Sequence, residues 1–74
     1  MFKPGDLVKI KNANESWRHL IGRVGVFVRE QTGEAFPQIV KPIHCTYEVR
    51  FVEEDLEYIC NGEDIRKIMS EEHI

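Results

Sequence analysis

A strand-forming run broken by glycine constrains this chain more than any other feature. Residues 22–28 read GRVGVFV, in which four valine and phenylalanine side chains share the stretch with Gly22 and Gly25, three positions apart. Glycine inside a strand weakens it, because the unfolded backbone gains freedom and no side chain is offered for packing. It is found where a strand bends sharply or where another backbone comes close, as at the corner of a small closed sheet. Gly22 stands where a loop enters this strand, and Gly25 where the strand would coil across a core. With 74 residues, the chain has room for one such core and one domain.

The segments around this run predict more strands. KPGDLVKIK opens with a turn signal and then alternates, placing Val8 and Ile10 on one face and Leu7, Lys9 and Lys11 on the other. Residues 12–21 form a long loop, NANESW followed by the more apolar WRHLI, and hold the only tryptophan. RVGVFVRE is the second strand. QTGEAFPQIVKPIH carries Gly33, Pro37 and Pro42 and reads as a second long loop, or as a ragged edge hairpin with its tip near Thr32 and Gly33. TYEVRFVEE alternates cleanly, with Tyr47, Val49 and Phe51 opposite Glu48 and Arg50. LEYIC is a short strand, and the Asn61-Gly62 pair after it predicts a hairpin turn. EDIRKI would be a single helical turn, with Ile65 and Ile68 inward, leading into a short last strand. Residues 70–74 are a frayed polar tail on a single domain of residues 1–69. The expected architecture is all-β: a small five-stranded barrel with two long loops and a short helical turn near the C-terminus, whose closure removes exposed sheet edges.

Taken together, PGDLVKI, the glycines of GRVGVFV, YEVRF and EDIRKI resemble an SH3-like barrel of the KOW type, found in bacterial transcription elongation factors and ribosomal proteins. The similarity covers roughly residues 3–68. It implies an SH3-like barrel whose first long loop contacts RNA or a protein partner. This chain's connection from Ile10 to Gly22 is longer than the family's and carries Glu15 in place of a basic cluster. Small SH3-like subunits of redox and hydratase enzymes are similar as well, which makes an accessory subunit of a larger complex a variant of protein recruitment.

Charge separates the candidate functions. The net charge is -3, but residues 1–37 hold six cationic groups against four acidic ones, and residues 38–74 hold four against nine. Nucleic-acid binding draws much of its affinity from cations that displace counterions, and only the first half could supply them. The acidic second half suits a basic protein partner. No stretch approaches the length of an apolar membrane span and no leader-like run follows Met1, so the expected setting is cytoplasmic, with no membrane partner.

No GxSxG, glycine-rich phosphate loop or HExxH occurs, so neither an enzyme nor a cofactor is expected. Ser16, Trp17 and His19 form no nucleophile arrangement. Cys45 and Cys60 lack CxxC spacing, and His44 and His73 do not complete a zinc pattern, so the thiols are expected to be small apolar side chains with no metal. The carboxylates of EEDLE, Glu53 to Glu57, lack calcium-loop spacing and read as a solvated turn.

Two readings remain. In the first, a non-catalytic module recruits a protein through its long loops, using Trp17, Arg18, His19 and Phe36. In the alternative, a nucleic-acid-binding module sets Lys9, Lys11, Arg18 and Arg23 on phosphates while Trp17 stacks on a base. Trp17 itself has two possible places: an exposed anchor, as the adjacent Arg18 and His19 suggest, or a lid over the core, as Leu20 and Ile21 suggest.

Overall fold

The computed structural model describes residues 2–64. They form one antiparallel sheet of five strands: β1 Asp6–Ile10, β2 Val24–Glu30, β3 Gln38–Pro42, β4 Val49–Phe51 and β5 Leu56–Asn61. In space the order is β4-β3-β2-β1-β5. Two 3-10 helices, Glu15–Leu20 and Glu53–Asp55, occupy the β1–β2 and β4–β5 connections. The all-β expectation holds at this level. The sheet is open, since β4 and β5 are its two edges and no pairing joins them among the described residues.

The alternation read in the sequence is the alternation of faces. Val8, Gly25 and Pro42 lie in one cross-strand row, and Phe27, Val40 and Val49 in another, all buried. With Ile10, Phe51 and Leu56 they make the core, which Leu20 of the first 3-10 helix caps at 0 % exposure. Irregular register between Leu7 and Val8 and between Phe27 and Arg29 marks bulges. Each inserts an extra residue on one strand and increases its twist, which lets one sheet wrap around its own side chains.

Gly25 answers the question raised by GRVGVFV. A Cβ built there would stand 2.6 Å from a methyl of Val40, 3.1 Å from the Lys41 carbonyl oxygen and 3.2 Å from the Pro42 Cα. The glycine is required by the close approach of β3. Gly22 does lie at the loop-to-strand junction, at φ 89°, with its N–H donating to the Ile10 carbonyl at 2.7 Å.

Four expectations need correction. QTGEAFPQIVKPIH is neither a long loop nor an edge: residues 38–42 form β3, paired on both sides, with Ile39 and Val40 buried. Pro37 and Pro42 bracket this strand instead of breaking it, because a proline at a strand end removes little of the ladder. The hairpin tip near Thr32 and Gly33 is where it was expected, within residues 31–37. Residues 12–21, expected as a long loop, contain the 3-10 helix that delivers Leu20 to the core. Asn61-Gly62 is not a hairpin turn: Gly62 has no positive φ, the Asn61 side-chain oxygen accepts the Glu63 N–H at 2.8 Å, and residues 62–64 begin a helical turn. Finally, TYEVRFVEE is a strand only over Val49–Phe51. Ile65, Ile68, the expected last strand and the tail at 70–74 lie outside the described residues.

The N-terminal turn is tied to the end of β5 through one buried carboxylate. Asp6, 5 % exposed, accepts the Lys3 backbone N–H at 2.7 Å and the Asn61 side-chain N–H at 3.0 Å. Two hydrogen bonds meet the requirement that a charge taken from water be compensated.

Candidate recognition site

Two connections meet at the Val24 end of β2, the residues between β1 and β2 and those between β3 and β4. The second begins with a tight turn in which the Cys45 N–H donates to the Pro42 carbonyl at 3.1 Å and His44 takes φ 70°. A non-glycine side chain in this left-handed region is uncommon and costs on the order of 1 kcal/mol, though histidine tolerates it better than most residues. The turn brings Cys45 against the core and starts the path on which Tyr47 lies.

Tyr47 keeps the parity of Val49 and Phe51 but stands before the strand begins, and it is exposed. Trp17 meets it there. A kink at Trp17 (φ -120°, ψ 16°) splits the first 3-10 helix, and the indole lies half-buried against the core. Its ring centroid is 5.5 Å from that of Tyr47, at an interplanar angle of 33°, and 6.0 Å from that of His19. These separations fall within the range of favourable aromatic contacts. Trp17 is therefore neither a free anchor nor a lid: one part is held by the core and the rest lies in a surface stack.

The surroundings of the stack are apolar with a cationic edge. Tyr47 is 42 % exposed, and at the same end Ile21 and Ile43 are exposed at 42 % and 41 %. The Ile43 N–H donates to the Val24 carbonyl at 3.0 Å, which fixes that isoleucine beside the start of β2. The Cys45 thiol beside the Tyr47 hydroxyl holds this phenol above its ordinary pKa, with desolvation adding to the rise and the Arg23 charge opposing it. Arg23 thus lies close enough for its charge to be felt at Tyr47. Phenol, indole, two isoleucines and a guanidinium make a surface suited to recognition by contact and stacking.

The expected site residues divide in space. Trp17, Arg18 and His19 are together, with Arg18 and His19 exposed. Phe36, 44 % exposed, is in the tip at residues 31–37, at the opposite end of β2 and outside this patch. Arg23 and Lys11 belong to the β1–β2 connection, whereas Lys9 pairs with Val24 on the sheet face turned away from the core. Lys9, Lys11, Arg18 and Arg23 are all exposed but do not share one face. Tyr47, Ile21 and Ile43 were not anticipated. The available signal was that Tyr47 continues the core parity of its strand just after a turn, where a large ring has core on one side only.

Among the described residues no three His, Cys, Asp or Glu side chains converge as metal ligands, and no helix is long and apolar enough to cross a membrane. Comparison with protein families, with curated proteins and with solved structures finds no match to this chain.

Proposed function

We propose that this chain is a small non-catalytic module with an SH3-like barrel, working in the cytoplasm, that recruits a protein partner through the Trp17–Tyr47 patch. The observation that carries the reading is the stack itself: a half-buried indole 5.5 Å from an exposed phenol, at one end of a sheet where two isoleucines are also exposed. Anchored aromatics that are fixed before binding lose little freedom on association, which is why such residues dominate interface energetics.

The barrel reading draws on the way the sheet edges are connected. A flat sheet of five strands would hold its edge strands about 19 Å apart. Here β4 and β5 are consecutive in the chain, with only residues 52–55 between them, three of these in a 3-10 helix. The Asp55 carbonyl accepts the N–H groups of Lys11 and Asn12 at 2.7 and 3.4 Å, drawing this connection to the end of β1. A sheet so tied bends toward closure. The two unpaired thiols, Cys45 and Cys60, suit a reducing compartment.

Protein recruitment is favoured over nucleic acid by the division of cations. Stacking on Trp17 could use Arg18 and Arg23, but Lys9 is on the other face, so the four do not make one phosphate-tracking stripe. The test is retention of proteins from a lysate by the full chain and by its Trp17→Ala and Tyr47→Ala variants, together with titration of Trp17 fluorescence by short RNA and DNA. The expected result is a set of proteins retained by the parent and lost by both variants, and no response to oligonucleotides. Trp17→Ala should also lower stability by about 1–2 kcal/mol, less than for a fully buried aromatic. Equal retention by all three proteins would refute the patch, and a saturating fluorescence change that weakens steeply with salt would replace a protein with a nucleic acid.

A further inference from the structure

The sheet face turned away from the core carries a second, unrelated pattern. Leu7, Val26 and Lys41 form one cross-strand row, with Cys60 beside Leu7. Val24 and Lys9 form the next row, flanked by Glu57. Arg29, Ile39 and Arg50 form a third. Leu7, Val24, Val26 and Cys60 are half-buried, whereas Lys9, Arg29, Lys41 and Arg50 are exposed. Ile39 is only 2 % exposed although it faces away from the core, and its neighbours on both sides in register are the two arginines. The aliphatic stems of paired arginines cover an apolar side chain while their guanidinium heads reach water.

The apolar row runs into a groove of about 500 Å³ lined by Leu7 and Val26, with Gly5 and Gly62 at its walls and Glu63 as its carboxylate. Four cations therefore stand around a shallow apolar strip, in a chain whose net charge is -3. None of the four is engaged in an ion pair among the described residues. Along this face the carboxylates are Glu57, opposite Lys9, Glu48, which shares the parity of Arg50 just before β4, and Glu63 at the groove.

We infer that this outer face is a docking surface for an acidic amphipathic segment of a partner protein, whose apolar side covers Leu7, Val24 and Val26 while its carboxylates meet Lys41, Arg29 and Arg50. Charge complementarity selects the occupant. A strip of valine and leucine wants an apolar counterpart, and the cations around it want anions on that counterpart's flanks. A nucleic-acid strand fits less well, since none of these face residues is aromatic and an apolar strip lies where phosphates would have to pass. Glu63 sets the polarity: the acidic flank lies away from the groove's carboxylate and toward Arg29 and Arg50, which stand roughly 10 Å apart across two strand spacings.

The experiment uses the full chain and three fluorescent probes. These are a synthetic helical peptide with leucine at i, i+3, i+4 and i+7 and glutamate between, a scrambled peptide of the same composition, and a single-stranded oligonucleotide. The amphipathic peptide should bind at least about tenfold more tightly than the scrambled one, and a combined Lys41→Glu and Arg50→Glu variant should weaken it by about tenfold or more. Both positions are exposed and glutamate keeps part of the aliphatic stem beside Ile39, so the variant folds with its melting temperature lowered by no more than a few degrees. Tyr47→Ala should leave this binding unchanged, which separates it from the aromatic patch. Absence of peptide binding, equal binding of the scrambled peptide, or tighter binding of the oligonucleotide would overturn the inference. So would a dimer of the chain, seen by sedimentation and dissolved by the same charge reversals, since the occupant would then be a second copy.

Discussion

The two connections that flank β2, residues 11–23 and 31–37, are both polar and both contain glycine, yet they do opposite things. The one between β1 and β2 turns inward: its 3-10 helix places Leu20 at 0 % exposure and holds Trp17 half-buried against the core. The one between β2 and β3 turns outward, and Phe36 at its tip is 44 % exposed. Hydrophobicity does not distinguish them, since phenylalanine is as apolar as leucine. Position does. The first connection is held across the core's end by the Gly22 N–H to the Ile10 carbonyl and by the Lys11 N–H to the Asp55 carbonyl, both at 2.7 Å. The second is closed by the Gln31 N–H to the Pro37 carbonyl, also at 2.7 Å, and projects beyond the last paired residues. A loop is part of the core when its backbone bonds lead it over apolar rows, and part of the surface when they lead it off the end of a hairpin.

The contrast makes quantitative demands on the molecule. Leu20→Ala should be the most damaging change, lowering stability by about 2–5 kcal/mol in a denaturant titration, because it opens a cavity beneath the 3-10 helix. A loss under about 1 kcal/mol would show that the helix is a cover and not part of the core. Gly25→Ala comes next, at about 1–3 kcal/mol, because the added Cβ meets Val40, Lys41 and Pro42 at distances that force β2 and β3 apart. Measured in a Val40→Ala background, which removes the methyl at 2.6 Å, the cost of Gly25→Ala should shrink but not vanish, since the backbone contacts of Lys41 and Pro42 remain. Phe36→Ser should change stability by no more than about 0.5 kcal/mol. A cost equal to that of Leu20→Ala would erase the distinction between the connections.

The smallest effect is one of pH. The phenols of Tyr47 and Tyr58 both have pKa values raised above 10.0, the first chiefly by the hydrogen bond to Cys45 and the second chiefly by desolvation, with the Asp6 and Asp64 charges adding to it. A raised pKa means that the folded chain holds these protons more tightly than the unfolded chain. Their stabilising contribution is present below pH 10 and is lost as the pH rises through the folded values. Ultraviolet titration of the two Tyr→Phe variants should assign the delayed ionisations. A Tyr47 that titrates at its unperturbed value would remove Cys45 from its side.

Much of the fold was readable from local pattern. Val8 and Ile10 opposite Lys9, and Val49 and Phe51 opposite Arg50, are period-two alternations, and these survive because a side chain on a pleated strand has only two faces. What escaped was β3. QIVKP has no alternation of polarity, because Ile39 is buried on the outer face, between two arginines in register, while Val40 is buried in the core. A strand covered on both sides reads as a short apolar run, and the prolines around it read as breakers. Of the candidate site, the placement of Trp17, Arg18 and His19 together on one connection was legible. Tyr47 was not, since its role depends on a ring that arrives from a different connection.

By itself, the sequence determined that this chain is built mostly of β-strands, that Val8, Ile10, Val49 and Phe51 face inward, and that Gly25 lies where its strand crosses the core. All of these follow from interactions within a strand or from the absence of a Cβ. Tertiary structure alone decided that β3 is interior, that Trp17 is shared between core and surface, that Phe36 stands apart from it, and that four cations gather on the outer face. Each of these depends on which strands become neighbours and in what register, and a register is set by packing between segments that are far apart in the chain.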